Sequence, residues 1–312
     1  MDFVLTVIGD PATRLLGPET IQRLRSALDG AGLHPGLPDW LAQRVACDLP
    51  FGGGDPGPSG AAYPGRAIKA ARAALGSAPF DLAAQPLAGR SKRLLVADME
   101  STVIGQELLD ELAEIQGLGA KVAAITARTM AGELDFAASL KERVAMLKGM
   151  PAAALDEVAA RIAFNPGAET LIATLRAKGV TTALVSGGFE IFAARVAKLA
   201  GFDRVHANRL EIVDGKVTGK VGEPVLDRNG KRDLLLTLAR ELGIGPGDTM
   251  AVGDGSNDLE MIRAAGLGVA YRGKPVLREA AAARIDHGDL TALLFLQGYR
   301  EQDFSRETVP RR

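Results

Sequence analysis

An apolar run that stops at a carboxylate constrains the fold of this chain more than any other feature. Residues 94–97 (Leu-Leu-Val-Ala) form a strand-like run, and Asp98 and Glu100 follow it directly. Continuous apolar strands are typical of parallel sheets, whose ligands bind beyond the carboxyl ends of the strands. The run therefore predicts an α/β fold with a nucleophile and a proton carrier at a strand end. An acidic pair in a surface turn is the alternative, and the rest of the chain decides between them.

Two further strand-like runs end in groups that suit a phosphate and a divalent cation. Residues 180–185 are followed by Ser186-Gly187-Gly188, which offer a hydroxyl and unhindered backbone N–H groups for a phosphate. Residues 249–252 are followed by 253–258 (Gly-Asp-Gly-Ser-Asn-Asp), where two carboxylates and an amide crowd a glycine turn. Hard oxygen ligands of this kind suit Mg²⁺.

Lys231 lies between these two motifs, close to the start of an amphipathic helix. Its ammonium can neutralise a phosphate as a point charge. Each motif has a plain alternative: an ordinary turn at 186–188, an exposed helix-start lysine at 231 and a helix cap at 254–258. Their order after Asp98 favours the functional interpretation.

Taken in order, the nucleophilic aspartate, Ser-Gly-Gly, lysine and Gly-Asp-Gly-x-Asn-Asp resemble the motifs of the haloacid dehalogenase superfamily of phosphotransferring enzymes. The resemblance covers about residues 92–295 and sharpens to the phosphoserine phosphatase family, of the kind that closes serine biosynthesis. It implies a Rossmann-like parallel-sheet core with a helical cap. It also implies Mg²⁺ as cofactor and phosphoserine as the small-molecule substrate.

Two charged residues carry the narrower match. The first motif continues to Glu107, where the family has an acidic residue that meets the substrate ammonium. Residues 136–144 resemble the family's cap-helix signature, in which Arg143 grips the substrate carboxylate while Met130 and Phe136 line the pocket. Phosphoserine has a phosphate, an ammonium and a carboxylate, and specificity requires a counter-charge for each. Solvated surface charges, and plain core positions for Met130 and Phe136, are the alternatives.

Glu100 departs from the family pattern, which generally has aspartate at this position. The extra methylene moves the carboxylate by about one carbon–carbon bond, and catalysis is sensitive to displacements of about 1 Å. A backbone shift or another rotamer can absorb that difference. We therefore expect Glu100 to act as acid and base.

The resemblance implies a role for each remaining motif residue. Asp98, the Glu100 carbonyl and Asp254 would hold Mg²⁺, which reduces repulsion between an anionic nucleophile and an anionic substrate. Asp98 would attack the phosphorus, and Glu100 would protonate the departing serine oxygen and later deprotonate the hydrolytic water.

The other motif residues would hold the phosphate or support its neighbours. The three equatorial phosphoryl oxygens would be held by Ser186, by Lys231 and by the N–H groups near Met99 and Gly187. Asn257 and Asp258 would position the substrate or support the metal ligands, and Thr102 would fix the first loop.

Composition argues against several other classes of protein. The 37 basic and 38 acidic residues leave a net charge of −1, so no global field favours nucleic acid or an anionic membrane. The lone Cys47 rules out an internal disulfide, and the three scattered histidines lack zinc-ligand spacing. No apolar stretch reaches the roughly 18 residues that span a bilayer, and the start lacks a basic signal-peptide region. We expect a soluble cytoplasmic protein.

Breaks in the pattern predict a small α+β accessory domain over residues 1–90. Strands are expected near 3–8 and 40–49, helices near 19–31 and 66–75, and a further strand after the second helix. This alternation suggests a ferredoxin-like unit, and it resembles a degenerate form of the regulatory amino-acid-binding (ACT-like) domains. Ligand binding, a scaffold role and a homodimer interface are alternatives for this region.

Residues 91–300 are expected to form the phosphatase core. A helical insertion at about 106–164 would be a lid over the phosphate site. A hairpin signal around Asp214-Gly215 predicts a small flap at about 205–226, and 301–312 are expected to be a frayed polar tail.

Two rival functions stay open at this point. A phosphotransferase of the same superfamily would pass the phosphoryl group from Asp98 to a small alcohol such as homoserine instead of water. A catalytically silent sensor, suggested by Glu100 and the amino-terminal region, would bind serine or phosphoserine without turnover. The combination of Asp98, Lys231 and Asp254 favours an enzyme, because a sensor has no need of a nucleophile beside metal ligands.

Overall fold

The computed structural model describes residues 1–53, 62–130 and 133–305. The strands within these ranges are β1 (Phe3–Ile8), β2 (Leu33–Pro35), β3 (Asp39–Ala42), β4 (Ala46–Gly53), β5 (Asp81–Pro86), β6 (Leu94–Ala97), β7 (Thr181–Phe189), β8 (Arg204–Asn208), β9 (Leu210–Val213), β10 (Lys216–Val221), β11 (Thr249–Gly253), β12 (Leu267–Tyr271) and β13 (Ala283–Ile285). The α-helices are α1 (Pro18–Gly30), α2 (Ala62–Leu75), α3 (Leu108–Ile115), α4 (Gly119–Met130), α5 (Phe136–Ala145), α6 (Ala152–Ala160), α7 (Ala168–Ala177), α8 (Glu190–Ala200), α9 (Arg228–Glu241), α10 (Leu259–Ala264), α11 (Pro275–Ala280) and α12 (Ala292–Leu296). None of the helices in these ranges is long and apolar enough to cross a membrane.

The larger sheet is parallel and has the strand order β13-β12-β11-β6-β7-β8. Every residue of β6 and β11 is buried, as expected for apolar strands that are covered on both faces. The chain winds from β6 to β7 and β8 on one side, and β11 to β13 lie on the other. Parallel sheets bind ligands at the carboxyl end of the strands, at the point where the order of strand addition reverses. In this sheet that point lies beside β6, so a site is expected at the end of β6. The parallel α/β core is confirmed.

Helices α3 to α6 lie between β6 and β7 and form the helical cap of the predicted fold. The two chain segments that join these helices to the core are held together: Ile104 pairs with Phe164, and the Gly105 N–H donates to the Ala163 carbonyl at 3.2 Å. The cap boundaries at 106 and 164 stay predictions.

The hairpin of β9 and β10 packs on the cap. The Gly149 N–H donates to the Val217 carbonyl at 2.8 Å, and the Ala152 N–H donates to the Gly215 carbonyl at the same distance. These bonds join the hairpin to the loop between α5 and α6 and to the first residue of α6, so the hairpin lies against the cap helices. Its role as a small flap stays a prediction.

The amino-terminal region forms an antiparallel sheet of order β2-β4-β1-β5, with β3 paired to β4. With α1 and α2 between the strands, the alternation is ferredoxin-like, as predicted. The single strand expected near 40–49 is wrong: the chain breaks at Arg44, whose φ is +61°, and forms β3 and β4. An arginine gives no turn signal, and apolar residues continue on both sides of it.

Side chains and backbone groups join the amino-terminal region to the core. The Asp81 carboxylate accepts N–H groups of Asp286 and Gly288 at 2.9 and 2.8 Å, and Arg300 bonds both Asp39 oxygens at 2.8 Å. The Phe304 ring also packs on Phe295 with the ring centres 5.2 Å apart. The expectation of a frayed tail is therefore wrong for residues 301–305, and 306–312 lie outside the described residues.

Candidate active site

The ends of the central strands converge on one cavity of about 330 Å³. Asp98 directly follows β6, and its N–H donates to the Val252 carbonyl of β11 at 3.0 Å, which continues the sheet by one residue. Asp254 follows β11, and both carboxylates line the cavity although each residue is less than a tenth exposed. The ends of β6 and β11 therefore lie side by side, as the sequence predicted, and bring both carboxylates to one cavity.

Three carboxylates form an acidic cluster below this cavity. One oxygen each of Asp98, Asp254 and Asp258 lies within 4.8 Å of the other two. The sequence suggested a supporting position for Asp258, but the short turn after Gly255 brings its carboxylate into the cluster, where its Oδ2 accepts the Gly255 N–H at 3.1 Å. Burial and the Asp258 charge raise the pKa of Asp98. Three hard oxygen donors of one charge fit a divalent cation such as Mg²⁺.

Lys231 is fully buried beside this cluster. Its ammonium donates to Asp98 Oδ1 at 2.6 Å and to Asp258 Oδ1 at 2.7 Å. Burial opposes its charge, but the carboxylates of Asp258 and Asp98 outweigh burial and raise the pKa of Lys231. The alternative of an exposed helix-start lysine is therefore wrong. Asp227 caps the helix, since its Oδ1 accepts the Gly230 N–H at 2.8 Å and so fixes the first turn of α9.

The Ser-Gly-Gly motif forms a bulge within β7. Val185 pairs with His206, and Phe189 pairs with Asn208, so residues 186–188 face a single residue of β8. The sequence predicted that the strand ends at Val185, whereas pairing resumes after the bulge. Bulges next to a site redirect side chains and free backbone groups.

Both glycines of this bulge are in close contact with the predicted site residues. A Cβ atom on Gly187 would lie 2.8 Å from the Phe136 ring of the cap, and one on Gly188 would lie 2.7 Å from Glu100 Oε2. The Gly188 N–H donates to Ser186 Oγ at 2.9 Å. Gly187, Gly188 and Phe136 line the cavity, and Ser186 is buried next to Gly187.

Glu100 lies where the first loop meets the cap. Its Oε1 accepts the Leu108 N–H at 2.8 Å, at the start of α3. Burial raises the pKa of Glu100 to about 7, and the nearby Glu107 adds to the rise. The longer side chain thus connects the core loop to the first cap helix. A carboxyl group with this pKa can be either acid or base near neutral pH.

Glu107 and Arg143 line the same cavity from the cap. The Ser101 hydroxyl donates to Glu107 Oε1 at 2.7 Å, and Ser101 itself has a φ of +55°, which is strained for a residue with a side chain. Burial lowers the pKa of Arg143, while Asp110, Glu100 and Glu107 oppose the change. Sequence reasoning missed Asp110, which also lines the cavity; its place one helical turn after Glu107 was the available signal.

The remaining predicted site residues are Asn257, Met130 and Thr102. Asn257 lines the cavity, while the predicted pocket role of Met130 lies outside the described side chains. The buried Thr102 hydroxyl has no hydrogen-bond partner within the described ranges, and its role in fixing the loop stays a prediction. The Asn165 amide holds this loop by donating to the carbonyls of Thr102 and Ile104 at 2.8 and 3.2 Å.

Lys274 is a cavity residue that sequence reasoning missed. It follows β12, and its Nζ lies 3.7 Å from Asp254 Oδ2. Burial raises the pKa of Asp254 to about 6, and Lys274 opposes that rise. The apolar run 267–271 is followed by Lys274, just as the runs 94–97 and 249–252 are followed by Asp98 and Asp254. This pattern was the sequence signal that could have identified Lys274.

Comparisons with known proteins agree with this geometry. The family model of haloacid dehalogenase-like hydrolases matches residues 95–263. Phosphoserine phosphatase SerB2 of Mycobacterium tuberculosis is 48% identical over 212 residues, which is 68% of this chain and 52% of that protein. The chain thus spans about half the length of that relative.

For two other proteins, the match with this chain covers nearly their whole length. Phosphoserine phosphatase of Streptococcus thermophilus is 47% identical over 199 residues, which is 64% of this chain and 93% of that protein. The crystal structure of a haloacid dehalogenase family hydrolase from Salmonella enterica subsp. enterica serovar Typhi aligns with a TM-score of 0.82 at 31% identity, over 94% of this chain and 97% of that one. The chain belongs to the haloacid dehalogenase-like hydrolases and, within them, to the phosphoserine phosphatase family.

Proposed function

We propose that this protein hydrolyses O-phospho-L-serine to L-serine and phosphate, with Mg²⁺ as cofactor and a phosphoaspartyl intermediate on Asp98. One observation carries the proposal: a single cavity is lined by Asp98 from the core and by Glu107 and Arg143 from the cap. Such a cavity offers a counter-charge to the ammonium and the carboxylate of the substrate beside the phosphate site. The names of the relatives support the same substrate.

The first half-reaction is a phosphoryl transfer to Asp98. Its carboxylate attacks the phosphorus in line, and the bond between phosphorus and the serine oxygen breaks. Lys231 orients the nucleophile through its hydrogen bond of 2.6 Å and offsets negative charge beside it. Glu100 in its acid form gives a proton to the departing oxygen, which would otherwise leave as a poor alkoxide.

The second half-reaction regenerates the enzyme. Glu100, now a carboxylate, takes a proton from a water molecule that attacks the phosphoaspartate, and the bond between Asp98 and phosphorus breaks. A pKa of about 7 suits both tasks, since each form of the carboxyl group is populated near neutral pH.

The acidic cluster is the proposed Mg²⁺ site. Asp98, Asp254 and the Glu100 carbonyl would hold the ion, with Asp258 as the third carboxylate of the cluster, and the bound ion would neutralise charge on the phosphoryl oxygens. One buried ammonium beside three carboxylates leaves net negative charge, which supports a cation there. The Ser186 hydroxyl and the Gly187 N–H would hold the remaining phosphoryl oxygens.

The proposal extends to the organisation of the chain. Residues 91–300 form the catalytic core, residues 106–164 its cap, and residues 1–90 an accessory domain. The cap would exclude water while phosphate is transferred to Asp98, because Phe136 packs over Gly187 at the mouth of the cavity.

Phosphate release from L-phosphoserine in the presence of Mg²⁺ tests the proposal, with an aryl phosphate as control substrate. We expect release from phosphoserine to be faster by at least an order of magnitude, because the aryl ester lacks the two groups that the cap binds. Adding homoserine and analysing the products separates hydrolysis from transfer to an alcohol. Brisk aryl phosphate hydrolysis without phosphoserine turnover would refute the substrate, and binding without turnover of either ester would favour a sensor.

A further inference from the structure

Asn208, the last residue of β8, connects two loops of the phosphate site. It is 3% exposed, its Nδ2 donates to the Gly187 carbonyl at 2.8 Å, and its Oδ1 accepts the Leu226 N–H at 2.7 Å. One partner is an acceptor and the other a donor, so a single orientation of the amide satisfies both. The side chain is therefore a fixed bridge between the two loops.

One end of this bridge holds the bulge at residues 186–188. A trans peptide unit is planar, so fixing the Gly187 carbonyl also fixes the Gly188 N–H, which points the opposite way. That N–H donates to Ser186 Oγ at 2.9 Å. The Asn208 amide thus determines, through one peptide plane, where the Ser186 hydroxyl lies. Without it the bulged carbonyl would have no ladder partner to hold it.

The other end of the bridge holds the start of α9. Leu226 immediately precedes Asp227, which caps the helix, and the Lys231 N–H donates to the Asp227 carbonyl at 2.9 Å. Because Lys231 lies in the first turn, a shift of this helix start moves the ammonium that contacts Asp98. Asn208 therefore restrains both the bulge and the helix from one buried position.

We propose that Asn208 is a positioning residue for the phosphoryl group, which sets the spacing between the bulge carrying Ser186 and the helix carrying Lys231. This inference rests on the proposed function. Neither of its two hydrogen bonds goes to Glu107 or Arg143, so we expect it to act on the phosphate of any ester and to leave the binding of the amino-acid part unchanged.

Asn208→Asp tests this inference because it keeps the shape and the acceptor for Leu226 but places an oxygen against the Gly187 carbonyl. We expect kcat/KM to fall by roughly 10- to 100-fold for phosphoserine and the aryl phosphate alike. The inhibition constant of inorganic phosphate should rise with it, while that of L-serine stays the same. Asn208→Ala should act in the same direction, so the test survives if the charged variant does not fold.

Thr182→Val is the matched control. Thr182 is a buried polar residue of the adjacent strand β7, and its hydroxyl donates to Asp203 at 2.9 Å at the far end from the bulge. This variant should lower Tm and leave phosphate inhibition unchanged. The inference is overturned if the Asn208 variants keep the phosphate inhibition constant of the wild type, or if the constants of phosphate and serine rise together. If the wild type turns over neither ester, the proposed function fails, and calorimetric phosphate binding to wild type and variants still tests Asn208.

Discussion

The two walls of the active-site cavity are built differently. On the core side, Lys231 and Asp258 are completely buried, and the Lys231 ammonium forms ion pairs with Asp98 at 2.6 Å and with Asp258 at 2.7 Å. On the cap side, Glu107 is exposed, and Arg143 makes one long hydrogen bond of 3.4 Å to the Ser139 carbonyl. The core charges are therefore fixed before any ligand arrives, whereas the cap charges have most of their binding capacity left for a substrate.

From this difference we expect the core wall to carry the chemistry and the cap wall to select the substrate. A change on the core side should affect every phosphate ester, because all esters share the reacting group. A change on the cap side should affect only esters that carry an ammonium and a carboxylate. The ratio of the two activities, for phosphoserine and for an aryl phosphate, measures on which wall a residue acts.

Asp98→Asn should have the largest effect. The amide cannot act as the nucleophile, so we expect turnover of both esters to fall by at least about a thousandfold. Phosphate release measured with both substrates checks the result. Retained hydrolysis of either ester would show that another group attacks the phosphorus and would break the assignment of chemistry to the core wall.

Arg143→Ala should change selectivity by an intermediate amount. A charge-assisted hydrogen bond contributes about 1.5–3 kcal/mol, so kcat/KM for phosphoserine should fall by about 10- to 100-fold. The aryl phosphate should lose little. Lys141→Ala is the matched control, since Lys141 lies on the same helix but forms an exposed ion pair with Glu223, which follows β10. An equal loss with both esters would contradict the separation of the two walls.

Glu100 lies between the walls, and its pKa of about 7 predicts a pH dependence. The first half-reaction needs the acid form, which is lost as pH rises through the pKa. We therefore expect kcat/KM for phosphoserine to fall by up to tenfold for each pH unit above about 7. The fall should be shallow for an aryl phosphate, whose leaving oxygen is a stabilised phenolate, and should vanish in Glu100→Gln. Identical profiles for both esters would assign the pH dependence to another group.

The sequence predicted the core wall well because strand ends and short motifs place those residues by local rules. Asp258 joined the acidic cluster through the geometry of a short turn, which composition does not encode. Asn165 and Asn208 are single asparagines outside any motif, and they bond residues at least 18 positions away in the chain. The chain turns at Arg44, which has a positive φ although glycine and asparagine are the residues that usually indicate such a turn. The missed features are those that depend on tertiary contacts.

Lys274→Ala should have the smallest effect, and it sharpens the comparison because Lys274 is a core-side charge that is exposed like those of the cap. Its side chain is 54% exposed, and its Nζ lies 3.7 Å from Asp254 Oδ2. Because the lysine is exposed to solvent, its pair with the buried Asp254 should be worth about 0.2–1 kcal/mol, so removing the ammonium should tighten Mg²⁺ binding by less than about fivefold.

Calorimetric titration of Mg²⁺ at pH 8, where Asp254 is ionised, measures this change without any substrate. Lys198→Ala is the matched control, because it removes the same charge from an exposed position on α8. An equal gain in both variants would assign the effect to net charge. A weaker affinity in Lys274→Ala would mean that the lysine supports the acidic cluster, which would extend the fixed core wall to an exposed side chain. A tighter Mg²⁺ affinity in Lys274→Ala alone would show that Lys274 opposes the metal site. The fixed core wall would then consist only of the buried groups at the ends of β6 and β11 and on α9.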